Sequence, residues 1–186
     1  SSTHQPLQIA DTPINKGGEG SVYRIPSLPK YCAKIYHQEK RDVERQKKLE
    51  FMVNHAPKDL ITQNYIICWP TKLIFDKQGK LLGFVMPLAF DNSILCYNIC
   101  RMKVSKDLSG IWNSCYDRNT KKGLINRLKI LVNIAIPVHV IHQLNKYVLV
   151  DFKPQNMLIT ENGKISIIDL DSVQTSLDEI KKVVKE

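Results

Sequence analysis

The stretch VDFKPQN, Val150–Asn156, sets an aspartate, a lysine and an asparagine around a proline, shortly after an apolar run of helical length at Leu124–Leu144. Pro154 lacks a backbone N–H and interrupts regular helix, so the segment reads as a loop. Asp151 and Asn156 stand five positions apart, and Asp169, in IIDLD (Ile167–Asp171), follows Asp151 by eighteen at the end of a strand-like run. Such a layout can carry two carboxylates and an amide oxygen to one cleft. Hard oxygen donors of that kind suit magnesium, which keeps some of its waters and takes further ligands from nucleotide phosphates. The aspartate left over can orient a hydroxyl and accept its proton. The same residue types also cap turns by bonding to their own backbone, and that reading implies no relation to any other part of the chain.

Far upstream, INKGGEGSV, Ile14–Val22, lies between two strand-like segments. Gly17 and Gly20 let backbone come close to a phosphate without side-chain interference, and Val22 can cover an adenine ring. An ordinary hairpin uses glycines in the same way. Twelve positions after Val22, Lys34 stands in the apolar strand YCAKIY, on one face with Cys32 and Tyr36. A lysine there is either at a solvated edge or aimed at an anion, and in the second case a carboxylate is needed to hold its flexible stem. The helical segment Glu39–Asn54 offers Glu44 and Glu50; Glu44 is preferred, because Glu50 adjoins the apolar run Phe51-Met52-Val53.

Bulk properties bound the rest. With 186 residues and 43% hydrophobic content, the chain can bury a core of ordinary size in one domain or two small lobes. No run approaches the apolar length of a membrane span and the Ser-Ser-Thr start lacks a secretory leader, so a soluble cytoplasmic protein is the expectation. Five cysteines, odd in number and without C-x-x-C, give neither a disulfide framework nor a zinc site and read as reduced thiols. His139 and His142, three apart on a helical segment, read as packing residues in the absence of a third ligand at a fitting offset. The net charge of +9 favours a polyanion or nucleotide phosphates as partner. Nucleic acid is disfavoured, since aromatics do not interleave with the basic residues.

Residues 1–12 are polar and expected to be flexible. Strands are expected at Ser21–Ile25, Tyr31–Tyr36, Lys72–Phe75 and Leu81–Met86, the last two joined by a turn in which Gly79 takes positive φ. Phe90–Lys122 reads as irregular and polar. After the long apolar helix, in which Pro137 is a candidate kink, come strands at Met157–Ile159 and Ile165–Ile168, joined through Glu161-Asn162-Gly163, and an amphipathic helix over Ser176–Glu186.

In this combination and order, from Ile14 to about Gln174, the chain resembles the eukaryotic-like (Hanks-type) Ser/Thr protein kinase superfamily, in a compact bacterial-type variant with a truncated C-lobe. NKGGEGSV resembles G-x-G-x-x-G-x-V with Asn15 at the first glycine, and YCAK resembles V-A-I-K with Lys34 as the phosphate lysine. VDFKPQN resembles R-D-x-K-x-x-N, which implies Asp151 as base, Lys153 beside the transferred phosphate and Asn156 as a metal ligand. DLD stands at D-F-G, implying Asp169 as the main metal ligand. FVMPLA, Phe84–Ala89, resembles the strand entering the hinge, with Met86 as gatekeeper, Pro87 giving a carbonyl to adenine and Ala89 an N–H; proline keeps the acceptor that this position needs.

The resemblance implies an α+β two-lobe fold: an antiparallel-sheet N-lobe with one helix over 13–88 and a minimal helical C-lobe over 89–186. It implies ATP with Mg2+, Mn2+ being the alternative ion, and a protein substrate bearing a Ser or Thr hydroxyl, the chain itself included. Lysine two after the base is the Ser/Thr form. Three departures qualify the implied activity. Leu149-Val150 replace H-R, so control through a phosphorylated activation loop is not expected. Asp171 replaces the glycine of D-F-G and restricts its backbone flip. Fifteen residues follow Asp171, without A-P-E or space for a substrate platform. A nucleotide-binding pseudokinase or signalling module without turnover is therefore the competing expectation.

Overall fold

The computed structural model describes residues 6–100, 108 and 110–176. In chain order these form β1 (Asn15–Lys16), β2 (Gly20–Arg24), β3 (Tyr31–Tyr36), α1 (Val43–Asn54), β4 (Tyr65–Ile67), β5 (Lys72–Phe75), β6 (Leu81–Pro87) and β7 (Ile94–Leu95). There follow α2 (Tyr97–Cys100), α3 (Gly110–Tyr116), α4 (Lys121–His142), β8 (Tyr147–Val148), β9 (Met157–Ile159), β10 (Ile165–Ile167) and β11 (Gln174–Thr175). The chain divides into two compact units, one of Ser1–Ala56 with Pro70–Leu88, the other of Pro57–Trp69 with Ala89–Glu186.

The first unit is a five-stranded antiparallel sheet in the order β1-β2-β3-β6-β5. Its two longest strands, β3 and β6, are rich in apolar and aromatic residues that suit a pleated, buried surface, and they register Cys32 with Met86 and Ile35 with Gly83. The β5–β6 turn is set by Asp76, whose Oδ1 accepts from the N–H groups of Gln78 and Lys80, and by Gly79 at φ 78°. Helix α1 begins four residues later than a continuous helix from Glu39 would, because Gln38–Lys40 is a separate 3-10 turn. Asp42 then restarts the chain as N-cap, its side chain accepting from Arg45 N–H at 2.7 Å. Leu7 and Ile9 pack on the cluster of Ile25, Ala33 and Val85, and Ala10 N–H bonds to Arg24 O. Residues 6–10 thus belong to the sheet's cover, where polar composition suggested a flexible lead.

The second unit holds a four-stranded sheet, β4-β10-β9-β7, in which only β4 and β10 run parallel, and a two-stranded ribbon of β8 and β11. Strand β4 was not expected; its three residues are all buried. The segment Phe90–Lys122, expected to be irregular, contains β7, α2 and α3. The expectation fails because Trp112, Cys115 and Tyr116, at helical spacing, bury one side of α3 among polar neighbours that mask the pattern. Arg127 then ties α3 to α2, donating to the carbonyls of Tyr116 at 2.9 Å and Ile99 at 3.1 Å. The expected tail helix falls almost entirely outside the described residues.

Helix α4 starts earlier than its apolar run, at the cap Thr120, whose hydroxyl accepts from Gly123 N–H at 3.1 Å. An 18-residue window of this 22-residue helix has mean hydropathy 1.6, so by length and composition alone it could cross a membrane, contrary to the expectation that no run approaches such a span. The inward side of the helix buries Ile130 and Ile141 but is otherwise unusually polar or small. The inward positions include Gly123, Asn126, Asn133 and Pro137, whereas Leu124, Leu128, Leu131 and Val132 face outward, Leu131 with 63% exposure. The inner asparagines are bonded: Asn126 Nδ2 donates to the carbonyls of Cys115 and Glu161, and Asn133 Nδ2 to Gly163 O at 2.8 Å. Buried polar atoms are tolerated only when paired. Asn133→Ala, which strands the Gly163 carbonyl, is therefore expected to cost about 1–3 kcal/mol, while Leu131→Ala should change stability by less than about 0.5 kcal/mol. Thermal denaturation of the two variants against the parent checks the contrast.

Candidate active site

Within the first unit the glycine-rich segment is the β1–β2 turn. Gly17 N–H bonds to Gly20 O at 2.9 Å, Ile14 N–H to Val22 O at 2.8 Å, and His37 holds the turn from β3 through Gly17 O and Glu19 O. Asn15 is exposed and registers with Val22, which in turn registers with Lys34. The glycines differ in what they do. A Cβ on Gly20 would lie 2.3 Å from Ile35 O, so close strand approach demands glycine there, whereas Gly18 has open space around it and a Cβ on Gly17 would make only an ordinary contact with Gly20 O at 3.7 Å. An unencumbered backbone at Gly17 and Gly18 is what close approach of a phosphate needs.

Lys34 is buried, with 8% exposure, and its ammonium lies 3.8 Å from Glu19 Oε2. Glu19 also takes Arg45 Nη2 at 3.0 Å, and the Arg45 guanidinium stacks 4.6 Å from the Tyr36 ring centroid. Glu19 was missing from the sequence candidates; its only signal was its place inside GGEG, beside the strand that pairs with β3. Glu50 accepts from Gln46 Nε2 at 2.9 Å, and Glu44 is exposed in the first turn of α1. At the end of β6, the carbonyls of Met86 and Pro87 each lie 3.8 Å from Cys32 Sγ. Burial pushes that thiol up to about 12, with Arg24 opposing, so Cys32 acts as an inert packing group. Ala89 is half-buried at the start of the second unit's main segment.

Within the second unit Pro154 opens a 3-10 turn, Pro154–Asn156, as its missing N–H allows. Asn156 Nδ2 donates to both the carbonyl and Oδ2 of Asp151, each at 3.0 Å, and Lys153 Nζ pairs with the same Oδ2 at 2.8 Å. The three residues that stood out in the sequence thus form one bonded cluster. Ile168 N–H bonds to Asn156 O at 2.9 Å, which ties the end of β10 to this turn. The next residue, Asp169, takes a left-handed conformation at φ 61°, ψ 38°, and its carbonyl accepts from Ser172 Oγ. Non-glycine residues adopt that region uncommonly, aspartate more readily than most. Asp151, Asn156 and Asp169 line a single crevice.

The hydrogen bond from Lys153 depresses the Asp151 carboxyl below the ordinary aspartate range, partial loss of hydration opposing it and the Asn156 amide adding to it. Since the folded value is depressed, the associated stabilisation is present above the unfolded value of about 3.9 and is lost as pH falls through the folded one. In Lys153→Met the Asp151 titration is expected to move up, read by NMR of the carboxyl carbon. An unmoved midpoint would remove Lys153 as the cause. With its NH2 group turned to Asp151, Asn156 keeps Oδ1 as a further acceptor. Together with the Asp169 carboxylate it forms a set of hard oxygens that fits magnesium.

No protein-family model matches the chain. It is similar to the protein kinase YegI of Escherichia coli (strain K12), 27% identical over 164 residues that cover 87% of this chain and 22% of that protein. The protein of the same name from Escherichia coli O157:H7 is also 27% identical over 164 residues, covering 87% of this chain and 23% of its own length. The chain thus spans less than a quarter of the curated relatives it matches. Among solved structures, the apo GRMZM2G135359 pseudokinase matches with a TM-score of 0.53 and 11% identity, over 86% of this chain and 56% of that one. The fold is protein-kinase-like, and the weak sequence similarity to a kinase supports a place in that superfamily.

Proposed function

We propose that this chain of protein-kinase-like fold is an ATP- and magnesium-dependent phosphotransferase acting on Ser or Thr hydroxyls of a protein, its own included. The observation that carries the reading is Asp151, held by Lys153 and Asn156 while lining the same crevice as Asp169. In this reading Asp151 accepts a hydrogen bond from the acceptor hydroxyl, orients its oxygen, and takes its proton as the new O–P bond forms. Lys153 offsets negative charge on the phosphoryl group in transit. Asn156 and Asp169 would hold magnesium, which when bound neutralises charge on the nucleotide phosphates. In the first unit, the amides around Gly17 and Gly18 and the Lys34 ammonium would bind those phosphates. Lys153, two positions after Asp151, supports a Ser/Thr acceptor.

Asp171, at the position where the resemblance calls for glycine and inside the 3-10 turn Leu170–Ser172, favours a second reading: a nucleotide-binding module without turnover. Transfer of labelled γ-phosphate from ATP to the chain and to a generic basic acceptor, with magnesium and then manganese, separates the two. Label in a Ser or Thr of either protein supports the kinase. Bound nucleotide with no label anywhere supports the module.

A further inference from the structure

A groove of ≈ 950 Å³ opens in the second unit, and it shares no residue with the crevice of Asp151 and Asp169. Its walls are the first turns of α4, the β9–β10 turn, and the segment that starts at Phe90. Four lysines line it, Lys121, Lys122, Lys129 and Lys164, against two carboxylates, Asp91 and Glu161. Among the described residues none of the four ammonium groups is in an ion pair. Between Asp117 and Asp151 the chain has no acidic residue at all, so no carboxylate on α4 balances these lysines.

The cations sit on a fixed frame. The Lys129 stem packs over Gly163, where an added Cβ would lie 2.9 Å from Lys129 Cβ. Lys164 Nζ stands 5.3 Å from the centroid of Phe90, whose own N–H is held by Ser166 Oγ at 3.0 Å. Lys121 and Lys122 occupy the first turn of a 22-residue helix, where the helix dipole disfavours cations. A solvated lysine face would give up nothing by placing these charges elsewhere. Phe90 and Ile125 add apolar surface to the same lining. The groove is far larger than a single phosphate needs and falls within the range of ligand sites that take extended molecules.

We propose that this groove binds an acidic peptide segment, its carboxylates meeting Lys121, Lys122, Lys129 and Lys164 and an apolar side chain seated on Phe90 and Ile125. Mixed cationic and apolar lining selects such a peptide over a bare inorganic anion, which has nothing to place on the apolar part. The site stands independently of phosphoryl transfer, because every residue in it lies outside the proposed catalytic set.

The test is fluorescence anisotropy at low ionic strength with a fluorescein-labelled peptide of glutamates around one central leucine. Wild-type chain should bind it saturably. Lys121→Glu with Lys122→Glu should weaken binding about tenfold or more, and Lys129→Glu should weaken it in the same direction. A control with equal change in net charge, Lys77→Glu with Lys80→Glu in the exposed β5–β6 turn, should stay within about twofold. Thermal melting of each variant confirms that it is folded. Replacing the central leucine by glycine should also weaken binding. Absence of saturable binding to wild type, equal loss in the control, or displacement by inorganic phosphate or a single-stranded oligonucleotide at the peptide's own concentration would each overturn the proposal.

Discussion

Asp151→Asn is expected to lower phosphoryl transfer by about 10²–10⁴-fold while nucleotide affinity stays within about threefold. The substitution is nearly isosteric and keeps a side-chain oxygen able to accept from Asn156 Nδ2, so the turn Pro154–Asn156 retains its internal support. What disappears is the charge that holds Lys153 at 2.8 Å and the only atom of the cluster that can take a proton from an acceptor hydroxyl. The carboxyl is already depressed by Lys153, so it is ionised across neutral pH and its protonation should limit activity only well into the acid range. Lys34→Met should behave oppositely, raising KM for ATP, since Lys34 lies in the first unit and is assigned to the phosphates alone. Initial rates over a range of ATP concentrations, with calorimetric ATP affinity for each variant, make the comparison. Parallel loss of affinity and transfer in Asp151→Asn would sink the role given to this residue.

What the sequence made legible was local. Asp151, Lys153 and Asn156 lie within six positions, and a proline fixes the turn between them, so their convergence needs no knowledge of distant packing. Strands β3 and β6 were likewise readable as long runs of apolar and aromatic residues. Much of what was not legible is long-range. Glu19, just before β2, meets Lys34 of β3 at 3.8 Å, a contact that chain position alone does not show. Strand β4 owes its place to parallel pairing with β10, about a hundred residues later. Helix α4 blurs its periodicity, because apolar residues lie on both sides, Ile130 and Ile141 buried but Leu128 and Leu131 exposed, and its inward side also carries asparagines bonded to the carbonyls of Cys115, Glu161 and Gly163. Gly20 reads from the motif as phosphate-facing, yet the first demand on it is steric, from Ile35 O.

Gly83→Ala carries that steric argument to its largest consequence. A Cβ at residue 83 would stand 1.9 Å from the Lys34 carbonyl oxygen and 2.9 Å from the Lys34 carbonyl carbon. The obstacle is backbone in the middle of the sheet and not a side-chain tip, so it cannot swing aside; β3 and β6 must separate or slide at their register Ile35–Gly83. Alanine gains something through the unfolded chain, about 0.4–1 kcal/mol, but the overpacking cost of about 3 kcal/mol outweighs it. For a chain of this length a loss of about 3 kcal/mol lowers Tm by roughly 6–12 °C. Gly18→Ala, in the same unit, meets no atom within 4 Å and should shift Tm by no more than about 2 °C. Because the displaced carbonyl belongs to Lys34 itself, Gly83→Ala should also weaken ATP binding at temperatures where the variant is still folded, and Gly18→Ala should do so only if its added methyl meets bound phosphate. A Gly83→Ala variant with unchanged Tm would show that the two central strands separate at little cost. Lys34 would then be positioned by its pairing with Glu19 and not by the rigidity of the sheet.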